Sequence, residues 1–159
     1  MKTLTLCIIA GVCFYIPMAA QNSVVSHTIN ESGAQKVMDA AISYAHAHNA
    51  PGGSIAIVDG GGHLIAFHRL DNSFPASSGV AIEKAKTAAL FRAESKNLED
   101  AVNGGRVALT TAGYTFLQGG VPIIENGSII VAIGVSGAMS ADQDREIASA
   151  GADALIMKK

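Results

Sequence analysis

The stretch Ile57 to Asp71, IVDGGGHLIAFHRLD, holds three consecutive glycines and then two histidines five residues apart. Imidazoles could coordinate a metal or a haem iron. Glycine N–H groups could cradle phosphate. The same residues could also do no more than turn the chain. A phosphate loop passes from a strand into a helix, so that the helix N-terminus meets the anion. Here the glycines lead into HLIAFHRL, rich in apolar and aromatic residues, which predicts a hairpin between two strands. Side chains alternate along a strand, so His63 and His68 are expected on opposite faces unless a bulge intervenes. They do not form a bidentate motif, but each could act singly, as one axial ligand to haem does.

Other candidates are weaker. GVSGA, Gly134 to Ala138, resembles a nucleophile elbow, but its fifth residue is alanine and all five histidines precede Ser136. The elbow needs a histidine after the serine. A structural turn is the better reading, with weak anion binding by its N–H groups as the remainder. His46 and His48, two apart on a helix, point about 200° apart and cannot share a metal. Arg69, Asp71, Glu83 and Lys84 could clasp a strand to a helix, or Arg69 and Lys84 could hold a ligand carboxylate. Spacing does not choose between these.

The elements around these residues follow from periodicity. A first helix is expected from about Asn30 to His48, with Thr28 to Glu31 as a possible capping box. Ala34, Val37, Met38, Ala41, Ile42 and Ala45 form its apolar face. Strands at Ser54–Val58 and His63–Leu70 flank the glycine turn. A second helix, capped at Ser77 or Ser78, carries an alanine stripe at 81, 85, 88 and 89. A short third helix starts at Ser95, and a less regular strand is expected within Val107–Phe116. Asn126-Gly127, between Val121–Glu125 and Ser128–Val135, is the preferred two-residue hairpin turn. A last helix starts at Ser140, with Asp142 and Asp144 in its first turn. Tight hairpins predict an α/β (α+β) domain with an antiparallel sheet of about five strands, flanked by helices.

Composition narrows the function classes. Residues 1–20 are expected to be a secretory signal peptide: Lys2, then an apolar run from Leu4 to Ile16, then Pro17 and small residues before Gln21. Removing these 20 of 159 residues leaves 139, read as one domain over 21–159. Both cysteines, Cys7 and Cys13, leave with them, so no thiol chemistry or disulfide is expected. The formal net charge of −2 and the lack of a basic run argue against nucleic acid and against a membrane surface. Only 15% of residues are charged, against a usual ~25%, so a homo-oligomer that hides part of its surface is expected.

With these residues placed, the chain resembles the GlcG/HbpS-like family of haem-binding proteins, which includes the C-terminal domain of PduO. The resemblance runs through IAIVDGGGHLIAFHRLD, AIEKAKTAALF, FRAESKNLED, GGVPIIENGSIIVAIGVSGA and QDREIASAGADAL, from about Ile29 to Leu155. Asn72-Ser73 departs from a Gly-Ala pair usual in relatives. The resemblance implies a profilin-like sandwich that assembles into homo-oligomers and binds haem, as non-covalent haem b. The leading expectation is therefore a secreted, periplasmic haem holder or buffer, with no membrane insertion after signal cleavage. Two others stay open: an enzyme or accessory factor gripping a small organic acid through Arg69 and Lys84, and a ligand-free structural partner of a periplasmic enzyme. For an axial histidine the order is His68, beside Arg69 as a propionate partner, then His27 in the segment before the first helix, then His63 at the turn.

Overall fold

A computed structural model describes residues 27–155. The segment read as a signal peptide lies outside them. Four helices, a 3-10 helix and four strands follow one another as α1 (Glu31–Ala47), β1 (Ser54–Asp59), β2 (Leu64–Arg69), α2 (Ser77–Phe91), α3 (Ser95–Asn103), the 3-10 helix (Val107–Ala112), β3 (Gly120–Glu125), β4 (Ser128–Ser136) and α4 (Ala141–Asp153). The strands form one antiparallel sheet in the order β2-β1-β4-β3. The expected α/β sandwich is present, with one strand fewer than anticipated. The fifth was sought in Val107–Phe116, where the chain instead makes a 3-10 helix with no buried residue. Hydroxyls of Thr110 and Thr111 bond back to the carbonyls of Val107 and Ala108, which favours a tight coil over a ladder.

Each sheet face has its own cover. Ile55, Ile57, Val131, Ile133 and Val135 point to one side and pack with Val37, Ala41 and Ala45 of α1 and Ile147 and Ala148 of α4. Ala56, Val58 and Ala132 point to the other and meet Ala81, Ala85, Ala88 and Ala89 of α2. That second layer is thin because it has almost no side chains. Gly134 and Gly120 are cross-strand partners on the α2 side. A Cβ on Gly134 would collide with backbone atoms of Ala81 and Ala85, and one on Gly120 with the backbone of Lys84. Backbone therefore lies directly on backbone, and only glycine allows it.

The starts of α1 and α4 are specified by local caps, whereas α2, expected to be capped at Ser77 or Ser78, begins after Ala76 with no side-chain cap. Asn30, not Thr28, caps α1 through the N–H of Gly33. Ser140 caps α4 as expected, accepting from the N–H of Gln143. Asn126 and Gly127 both have positive φ, as a type I′ turn requires. Asn72 also has positive φ, at 62°. That position favours glycine, and asparagine is among the few other residues that tolerate it. Ser73 beside it is buried, and its hydroxyl accepts from the N–H of Gly53 and sits 2.6 Å from the carbonyl of Leu70.

The two sheet edges differ. On β3 the N–H of Gly120 faces outward onto the Ser95 hydroxyl at 2.8 Å. By alternation Pro122 faces outward too, and it has no N–H to offer. On β2 the N–H of Leu70 bonds inward to Gly53, so the polar groups of Arg69 and Phe67 face away from the sheet. Leu64, Ile65 and Phe67 of β2 and Leu90 of α2 are all exposed there.

Candidate functional site

The hairpin that opened the sequence reading has a defined geometry. Asp59 and His63 face each other across it: the N–H of Asp59 donates to the carbonyl of His63, and that of Gly62 to the carbonyl of Asp59, both at 2.9 Å. Gly62 takes the positive φ (83°) that closes this three-residue loop. The Asp59 carboxylate fills the turn. Its Oδ1 accepts from the N–H groups of Gly61 (2.8 Å) and His63 (2.9 Å). Both carboxylate oxygens lie 3.2 Å from Nδ1 of His63. Burial alone would raise the Asp59 pKa. The backbone bonds from His63 and Gly61, together with the His63 ring, outweigh it and hold the carboxyl below its ordinary range.

His63 thus precedes β2 rather than starting it. The ladder also slips by one residue here: Ile57 pairs with Ala66 but Val58 pairs with Leu64, so Ile65 is an inserted residue. This bulge corrects the expectation of opposite faces. His63 lies beside Asp59, and Ala66 and His68 lie opposite Ile57 and Ile55, all on the side covered by α1 and α4. Their Cα atoms are still about 13 Å apart at ~3.3 Å per strand residue, too far for one ion. Among the described residues there is no group of three metal-ligating side chains.

The remaining candidates scatter. His68 is exposed on the edge strand, and His27 is exposed ahead of α1. Arg69 points to the α2 side and donates to the carbonyl of Ser73 at 2.9 Å. Asp71 is exposed beyond the end of β2. His46 is exposed. His48 stacks on Tyr44 with centroids 3.8 Å apart, its Nδ1 2.9 Å from the Tyr44 carbonyl.

Lys84 is not part of a ligand grip. It is 3% exposed. Its ammonium donates to Asp144 Oδ2 at 2.8 Å and to the Val135 carbonyl at 3.0 Å. These partners lie over β4 and the start of α4, with β1 between them and Arg69 on β2. The clasp is thus helix to helix, and a carboxylate held jointly by Arg69 and Lys84 is excluded by position. Asp144 also accepts from the N–H groups of Ala138 and Gly137. The turn in GVSGA therefore does bind an anion, and the anion is the chain's own side chain. Burial pushes the Asp144 carboxyl up from its ordinary range, opposed by Lys84 and by those N–H groups. Position 84 lies three after Ala81, inside the alanine stripe. That spacing signals burial of the lysine, while nothing local signals Asp144 as its partner.

Comparison with known proteins fits this architecture. Residues 29–153 match the family model described as haem degrading protein HbpS-like. The chain belongs to the HbpS-like family. Protein GlcG of Escherichia coli (strain K12) is 51% identical over 84 residues, which cover 52% of this chain and 63% of GlcG. The match thus spans less than two-thirds of that relative's length. HbpS of Streptomyces reticuli, solved as a double mutant, superposes with a TM-score of 0.77 at 31% identity, covering 89% of this chain and 97% of that one. A PduOC:haem complex superposes at 0.72 with 25% identity, covering 80% and 95%. The HbpS-like fold is therefore shared over nearly the whole described region.

Proposed function

We propose that this chain binds haem non-covalently and holds or buffers it, working as an exported homo-oligomer. The observation that carries the reading is membership of the HbpS-like family together with a solved relative that contains haem. The described fold supports it with two histidines on one face of an edge hairpin, each with an exposed ring.

Titration of the mature chain with ferric haem is expected to give a saturable Soret band distinct from free hemin. A holder keeps that band in the presence of ascorbate and oxygen. Bleaching with release of iron would instead assign haem breakdown. No Soret change at any ratio would remove haem from the proposal.

Assembly is proposed from the exposed Leu64, Ile65, Phe67 and Leu90, a run of apolar surface seldom left in water. Light scattering at micromolar concentration is expected to show an oligomer larger than a dimer. A mass equal to one chain would overturn this part.

A further inference from the structure

We propose that His63, rather than His68 or His27, is the residue that ligates haem iron, through Nε2, with Asp59 as the group that positions it. The inference rests on the haem reading above and deepens it. A metal-bound imidazole commonly gives its second N–H to a carboxylate or carbonyl, which fixes the ring's tautomer and turn and makes the ligating nitrogen more basic. His63 has that arrangement. Its Nδ1 lies within 3.2 Å of both oxygens of Asp59. A carboxylate only accepts there, so the neutral imidazole carries its proton on Nδ1 and turns the Nε2 lone pair outward.

Asp59 itself cannot swing away freely. Two backbone N–H groups of the turn hold its Oδ1. A Cβ on Gly61 would meet the His63 ring at 3.0 Å, so glycine there leaves the ring its place. The imidazole is nevertheless open, with the His63 side chain 83% exposed. A ring fixed at one nitrogen and free at the other is a ready monodentate donor.

The other histidines are less prepared. His68 and His27 are exposed, and neither has a side-chain partner among the described hydrogen bonds. Either would have to be immobilised on binding. His48 has a fixed tautomer, but its partner is the neutral Tyr44 carbonyl and its ring lies flat against Tyr44. It is the control for the claim that the carboxylate matters.

The test compares hemin titrations of the mature wild-type chain with His63→Ala, His63→Gln, His68→Ala, His48→Ala and Asp59→Asn, each checked for folding by circular dichroism. His63→Ala and His63→Gln are expected to bind hemin at least about tenfold more weakly, with a shifted Soret maximum. Added imidazole should return the wild-type spectrum in His63→Ala. His68→Ala and His48→Ala should match wild type. Asp59→Asn should keep the histidine-ligated spectrum and move the haem midpoint potential upward, because the ligand loses its charged partner. A role confined to the turn moves stability but none of these spectra. If wild type gives a Soret band and His63→Ala leaves band and affinity unchanged, the assignment is overturned and haem binding stands. Loss confined to His68→Ala or His48→Ala also overturns it. If wild type gives no Soret band, both the haem reading and this assignment fall.

Discussion

Lys84→Ala is expected to destabilise the fold by about 3–5 kcal/mol, the usual cost of leaving one partner of a buried ion pair alone. The mutation removes the ammonium that joins α2 to Asp144 and to the Val135 carbonyl. Asp144, 5% exposed in the intact fold, would be left with only the N–H groups of the preceding turn as partners. Asp144→Ala is expected to cost as much from the other side, since it strands Lys84 and frees the turn at Ala138. The double variant Lys84→Met with Asp144→Asn should lose less than the two single changes added together, because no unpaired charge is left and Asn can still accept from the turn. Urea unfolding of the four proteins decides. A loss below about 1 kcal/mol in Lys84→Ala, the range of exposed pairs, would mean that water reaches the site.

Gly134→Ala carries the other large effect. A single methyl group there has nowhere to go, because it meets the backbone of Ala81 and Ala85 rather than a movable side chain. Overpacking of this kind commonly costs about 1–3 kcal/mol, and more when backbone must shift. We expect about 3 kcal/mol, and failure to fold when Gly120→Ala is added, since the two glycines face each other under the same helix. The control is Gly127→Ala, where nothing lies within 4 Å and only the positive φ resists the change. Equal melting temperatures for Gly134→Ala and wild type would show that α2 rides higher on the sheet than described.

Much of this fold was legible because its signals are local. Asn126-Gly127 and the run after Asp59 each specify a turn within a few residues. The stripe on α1 and the Ser140 cap mark helices in the same way. What escaped depends on partners far away in the chain. The inserted residue at Ile65 leaves no mark in HLIAFHRL, yet it reverses which face His63 presents relative to His68. Val107–Phe116 has the composition of a strand, but Thr110 and Thr111 bond back into their own turn and the chain coils there. Lys84 and Asp144 are 60 residues apart, and a charged residue in an alanine stripe shows that something must neutralise it without showing what. Asp59 belongs to the glycine turn, and its contact with the His63 ring emerges only once the folded hairpin places the two side by side.

The unequal edges of the sheet limit how far strand addition can go. β2 offers the outward groups of Phe67 and Arg69, whereas β3 answers with a capped N–H at Gly120 and none at Pro122. A strand that docks on β2 therefore meets no equivalent dock on the far side. Two such sheets joined at their open margins would end in blocked margins at both extremities, and the stack could not lengthen by repeating the step. The chain can thus carry an exposed apolar strand while its topology works against fibril growth.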